Sequence, residues 1–172
     1  CEGLTVAPGF IDAHAHVFAS ASRLLAIDCS PASTASISDI GDRIRVEATR
    51  KPPGTWLRAA GYNEFYLAER RHPTRHDLDR AAPEHPVKLD HRSLHACVLN
   101  SPALALARIS IETPDPPGGL IDREPETGEP SGLLFGMNSY LNERVVPSLS
   151  DEALARGVDL VNRAFLSAGV TS

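Results

Sequence analysis

The two ends of this chain carry the two halves of one parallel repeat, and the stretch between them is far too long for such a repeat. The last segment, SDEALARGVDLVNRAFLSAGVTS from Ser150, predicts a helix. Ser150 is placed to cap it, and Asp151 and Glu152 sit at the positive end of its dipole. Leu154, Val158, Val161, Phe165 and Ala168 form one apolar stripe at 4-3-4-3 spacing. Gly169 is placed to end the helix, and Val170 begins a strand. Near the other end, GLTVAPGFIDAHAHV predicts two short extended pieces hinged at Pro8-Gly9. The second begins at Phe10-Ile11 and has the apolar character of a strand buried on both faces. In a compact strand–helix–strand unit the strands lie within ~30 residues or a little more. Here about 150 residues separate His14 from Val170. The spacing predicts an insertion between neighbouring strands of a parallel sheet. A sheet ending at Val170 leaves an unpaired edge, so a longer parent chain is expected, as it is from the first residue being Cys1 and not Met.

The segment FASASRLLAI predicts a helix after the first strand, and SISDIGDRIRVEATRK predicts another, with Ile37, Ile40, Ile44 and Ala48 in register and Pro52-Pro53-Gly54 as its stop. From Lys51 to about Ser131 prolines and glycines recur every few residues. TWLRAAGY, PVKLD and HACVLN stand between them as brief strands. SPALALARI predicts a short helix with Ser101 as N-cap and Pro102 in its first turn, and a capping role also suits Asn100. TPDPPGGLIDREPETGEPSG reads as turn chemistry throughout. Trp56, the one tryptophan, is expected to anchor the packing of this middle segment.

Composition narrows the function. A chain of 172 residues with 42% hydrophobic and 23% charged residues suits a soluble globular fold. The net charge of −5 and the lack of a basic stripe argue against a nucleic-acid partner. No run is long enough to span a bilayer, and no signal peptide is visible, so no membrane association is expected. Three scattered cysteines without a C-x-x-C pair argue against a disulfide framework and a thiolate zinc site. They favour a reducing, cytoplasmic compartment.

The chemistry concentrates in APGFIDAHAHV. Residues two apart in a strand share a face, so Asp12, His14 and His16 are expected side by side at the strand's carboxyl end. That is where α/β folds place their chemistry. Two neighbouring imidazoles suit one divalent ion of the zinc type, and Asp12 is placed to orient a ligand from behind. His95 reads either as a substrate contact or as a satisfied structural histidine. His72, His76, His85 and His91 show no ligand spacing and read as surface or loop residues. Asp77 and Asp79 read as a helix start, with an Arg75–Asp79 pair across one turn.

With Pro8-Gly9-Phe10-Ile11-Asp12-Ala13-His14-Ala15-His16 the sequence resembles the metal-dependent amidohydrolase superfamily. GTWLRAAGYNE, the run from His72 through ALALARI, TPDPPGGLIDREPETGEPSGLL and the terminal AGVTS extend the resemblance to its YtcJ-like branch, amidohydrolase family 3. Tyr62-Asn63 replaces a Trp-Asp pair of that branch, and Ser93-Leu94 replaces Asp-Gly before His95. The resemblance implies an α/β fold: the start of a (β/α)8 TIM barrel, incomplete here, with a small β-sandwich. It assigns residues 1–9 to the sandwich tail and 10–50 to the first barrel strand and following helices. Residues 51–147 become an inserted α+β subdomain, and 148–172 the barrel helix and the start of the second strand. It also implies hydrolysis of a small amide-type C–N bond by water activated on one or two divalent ions, zinc foremost. His14 and His16 are then metal ligands, and the further ligands and the aspartate base are expected beyond Ser172. A homodimer is the expected assembly. Two other readings stay open: a non-catalytic binding or dimerisation module with a relic motif, and a phosphoesterase of the PHP type, which opens with the same D-x-H-x-H.

Overall fold

The structure is a computed structural model that describes Gly3 and residues 7–172. Apart from Gly3, the expected sandwich tail at Cys1–Val6 lies outside the described residues. In chain order the elements are α1 (Val17–Leu24), β1 (Ile27–Asp28), α2 (Ile37–Ala48), β2 (Leu57–Tyr62), a 3-10 turn (Glu64–Tyr66), α3 (Arg75–Ala81), β3 (Val87–His91), β4 (Ala96–Leu99), α4 (Ser101–Ala107), β5 (Leu120–Arg123), β6 (Pro130–Phe135), α5 (Asn138–Arg144) and α6 (Asp151–Ser167). They form two compact units, residues 1–25 with 149–172, and residues 26–148.

In the first unit α6 packs on α1. The Ser150 hydroxyl accepts from the Ala153 N–H at 3.2 Å, as the capping pattern requires. Val161 is buried, and Leu154, Val158 and Phe165 are half-buried, but Ala168 is exposed. The stripe read from the sequence leaves out Gly157. It is buried because a Cβ there would meet Ala21 Cβ and Leu25 Cδ1, each at 3.0 Å. The helix ends in a Schellman motif: Val170 N–H donates to Phe165 C=O at 2.9 Å and Gly169 N–H to Leu166 C=O at 3.0 Å. Gly169 takes φ +79°, which a residue without Cβ reaches at little cost. The chain leaves it extended. Phe10 N–H donates to Gly169 C=O at 2.7 Å, Thr171 N–H to Phe10 C=O at 2.9 Å and Asp12 N–H to Ser172 C=O at 2.8 Å. The Phe10–Val170 bridge is parallel. The two ends of the chain therefore meet as the spacing predicts. A strand buried on both faces is not formed, however: Phe10 is 67% and Ile11 77% exposed. One neighbour satisfies the backbone edge, while no element among the described residues of this unit covers the faces.

The second unit is a six-stranded sheet of order β1-β2-β3-β4-β6-β5. β1, β2 and β3 run parallel, and the pairs β3–β4, β4–β6 and β5–β6 are antiparallel. Alternation along the strands separates two cores. Leu57, Ala59, Val87, Leu89, Val98 and Leu133 pack with Ile37, Ile40 and Ile44 of α2 and with Leu78 of α3. Cys97, Leu99, Ile121 and Leu134 pack with Ala103 and Leu104 of α4 and Leu141 of α5, with Trp56 against them. β1 and α2, read from the sequence as companions of the first strand, thus belong to the sheet of the middle segment.

The turn-like stretch from Thr113 to Gly132 holds a hairpin, β5–β6, that the sequence reading lacks. Ile121 and Leu134 face each other in it and are buried. Pro130 is tolerated because it opens the strand. Gly132, at φ +97°, lies where a Cβ would overlap the Leu99 carbonyl and the Arg75 backbone. α4 also starts differently. Asn100, not Ser101, is the N-cap, its Oδ1 accepting from Ala103 N–H at 3.2 Å and from Val87 N–H at 2.8 Å. The expected Arg75–Asp79 pair does not form. Asp79 accepts from the Ser101 N–H at 2.8 Å and hydroxyl at 2.6 Å, and Arg75 pairs with Glu124 at 3.3 Å and Glu129 at 3.5 Å. At the start of α3 the buried Asp77 accepts from Thr74 N–H at 2.8 Å and from Arg71 at 2.7 Å.

Two outcomes follow for stability. Gly132→Ala meets backbone on two sides in a left-handed conformation, and is expected to cost about 2 kcal/mol or more in denaturant unfolding. For Asp77, burial alone would raise the carboxyl, but the Arg71 guanidinium and the Thr74 N–H outweigh it and hold it at about 2. A lowered carboxyl adds stability that is complete above its unfolded value of about 3.9 and is lost as pH falls toward 2. That amounts to about 2 kcal/mol. Asp77→Asn is expected to flatten this part of the acid unfolding profile, and a profile unchanged by the substitution would remove Asp77 as its source.

Candidate metal centre

The two-residue spacing of the histidines works here through a turn. The backbone bends at Ala13-His14 just after the parallel bridge, so strand alternation is not what aligns the rings. Asp12 sets this bend: its Oδ1 accepts the His14 N–H at 3.0 Å. The carboxylate therefore holds His14 through its backbone N–H. His16 is the residue before α1, and its side chain makes no cap hydrogen bond. Its imidazole is thereby left to face His14. The ring centroids are 4.8 Å apart with planes at 81°, and the two Nε2 atoms are 3.0 Å apart. All three side chains are exposed.

Two Nε2 atoms at 3.0 Å either share one proton or point lone pairs at one cation. A zinc-type ion ~2.05 Å from each subtends an angle of about 94°, within the range that such ions accept. The donor pair fits a divalent metal as two of its ligands. Among the described residues, no group of three or more His, Cys, Asp or Glu side chains is arranged to hold a metal ion. Among the described residues the thiols offer no alternative, because Cys29 and Cys97 are buried and burial pushes both up to about 12.

The other candidates lie in the second unit. His95 is exposed in the turn between β3 and β4. Its N–H donates to Ser93 Oγ at 3.2 Å, and its carbonyl accepts from Gly136 N–H at 2.8 Å. Asn100 is fully buried with its amide engaged, Nδ2 donating to His85 C=O at 2.8 Å and Ala82 C=O at 3.2 Å, so it serves the fold. His85 is not a surface residue as expected: it is 5% exposed and its ring bonds to Thr55 C=O at 2.9 Å. His76 is exposed beside Glu124 at 2.8 Å. His72 and His91, read as separate loop residues, are gathered with Tyr62 and Glu64 at the carboxyl ends of β2 and β3. Tyr62 Oη lies 2.9 Å from His72 Nδ1, and His91 Nε2 lies 2.9 Å from Glu64 Oε2. The pairing of β2 with β3 slips between Ala60 and Tyr62. The slip turns Tyr62 onto the α2–α3 face, a change that strand alternation gives no means to foresee.

A family model described as "Amidohydrolase family" matches residues 1–172. The N-substituted formamide deformylase of Arthrobacter pascens is 35% identical over 99% of this chain and 32% of its own length. The YtcJ amidohydrolase of Bacillus subtilis (strain 168) is 37% identical over 91% of this chain and 30% of its own. The chain thus spans about a third of the length of the curated relatives that it matches. An uncharacterized metal-dependent hydrolase from Pyrococcus furiosus shares the fold, with a TM-score of 0.59 and 24% identity over 96% of this chain and 31% of that one. No helix among the described residues is long and apolar enough to cross a membrane. With the family model matched from end to end, the chain belongs to the amidohydrolase family.

Proposed function

We propose that this chain supplies the first two metal ligands of a longer hydrolase that cleaves an amide-type C–N bond. The observation that carries this reading is the convergence of His14 and His16, Nε2 to Nε2 at 3.0 Å, in a chain of the amidohydrolase family. His14 and His16 would hold a divalent ion, and their nitrogen donors suit zinc. When bound, such an ion lowers the pKa of water and polarises a carbonyl. The chain's own contribution is positional. Asp12 fixes the bend that carries His14, and the hydrogen bonds between Phe10, Asp12 and residues 169–172 tie that bend to the end of α6. The parallel Phe10–Val170 bridge suits the first two strands of a (β/α)8 barrel. In such a barrel the exposed Phe10 and Ile11 would be covered by later elements. A relative named for deformylating N-substituted formamides supports an amide-type substrate. His95 is proposed to contact that substrate from the exposed β3–β4 turn. The buried free thiols of Cys29 and Cys97 support a reducing compartment.

The test uses the full-length protein. His14→Ala and His16→Ala are each expected to lower bound metal, measured by plasma mass spectrometry, and to reduce amide hydrolysis on the order of 100-fold or more. Asp12→Ala, which loosens the bend but keeps both rings, is expected to weaken metal affinity on the order of 10-fold. Wild-type metal content and turnover in both histidine variants would refute the proposal.

A further inference from the structure

The turn between β3 and β4 holds a second arrangement of reactive groups. Ser93 is exposed there, and its Oγ lies 2.8 Å from His91 Nδ1. The Ser93 N–H also points at His91 Nδ1, at 3.2 Å. That nitrogen is therefore an acceptor, and the ring proton of the neutral imidazole belongs on Nε2. Nε2 faces Glu64 Oε2 at 2.9 Å. Both atoms are buried and neither has a hydrogen-bond partner, so Glu64 acts on the ring through its charge at that distance. Glu64 has the second imidazole on its other side, His72 Nε2 at 3.8 Å from Oε1, and His72 is itself held by the Tyr62 hydroxyl. Burial chiefly lowers the His91 pKa, with Glu64 opposing, which favours the neutral ring. The residue after Ser93, Leu94, takes φ +61°, a conformation a branched side chain adopts at a cost. The turn presents Ser93 outward. The His95 N–H is directed at Ser93 Oγ at 3.2 Å, where it stabilises negative charge on the oxygen.

We propose that Ser93, His91 and Glu64 form a hydroxyl–imidazole–carboxylate relay that makes Ser93 a nucleophile toward activated esters without a metal. Ser93 Oγ bonds to the ester carbonyl carbon as its proton passes to His91 Nδ1. Glu64 balances the charge of the imidazolium. The C–O bond to the leaving group breaks, and the departing oxygen takes the proton from Nδ1, which leaves acyl-Ser93 and an alcohol. Water then follows the same path, releasing the carboxylic acid and restoring Ser93. Leu94, Phe65 and Tyr66 are 50%, 69% and 65% exposed and directly follow Ser93 and Glu64 in the chain. They favour esters with an apolar acyl or aryl part.

The chain is to be incubated with a fluorophosphonate probe in the presence of EDTA, which separates this chemistry from any metal-dependent hydrolysis, and the adduct located by peptide mass spectrometry. One phosphonyl group on Ser93 is expected. It should be lost on heat denaturation and in Ser93→Ala, and be on the order of 100-fold slower to form in His91→Ala and Glu64→Gln. Circular dichroism checks the fold of each variant, and if His91→Ala is unfolded the Glu64→Gln rate decides. An unmodified Ser93 in the folded wild type, or modification at the same rate in Glu64→Gln, would overturn the proposal.

Discussion

A parallel backbone contact between Phe10 and Val170 is what the candidate metal centre depends on. Three hydrogen bonds of 2.7–2.9 Å join residues 10 and 12 to residues 169–172, and they bring together segments about 150 residues apart in sequence. Closing so long a loop costs only a little more than closing a short one, because the entropy grows with the logarithm of length. The middle segment offsets that cost by folding on its own sheet, with its own two cores. Once the ends meet, Asp12 is held on both sides: its N–H donates to Ser172 and its carboxylate accepts from His14. The imidazole pair is thus positioned by the Schellman exit of α6 as much as by its own motif.

The helices were the most legible part of the sequence. Ile37, Ile40 and Ile44 stand in register in α2, Ser150 caps α6 ahead of its own apolar stripe, and both helices form where those signals stand; the capping box of Ser36 on α2 is added by the structure. β2, β3 and β4 were legible as apolar runs between turn residues. β5 and β6 were not, because Pro130 and Gly132 are turn signals locally and become strand residues only when Leu99 and Ile121 pack beside them. The choice between Asn100 and Ser101 as helix cap was settled by a distant partner. Asp79 takes both polar groups of Ser101, and Asn100 is left to bridge β3 and α4.

At the site, residue identity was legible and geometry was not. The paired histidines were read correctly as neighbours, but for a reason the backbone does not use: they face each other across a bend and not along a strand. The motif carries its own hydrogen-bond acceptor in Asp12, and that local bond is what makes the bend. The gathering of Tyr62, Glu64, His72 and His91 left no trace in spacing. It depends on a slip in the pairing of β2 with β3 and on where two parallel strands happen to end. Polar residues at strand ends are hard to assign from sequence, since the same residue types serve there as solvated loop ends.

The most direct test of the account is anomalous X-ray diffraction at the zinc edge from crystals of the full-length protein grown with zinc. The account predicts a peak ~2.0–2.1 Å from both the His14 and the His16 Nε2 atoms, with Asp12 still bonded to the His14 N–H. Zinc held elsewhere, with the two imidazoles turned apart, would contradict it.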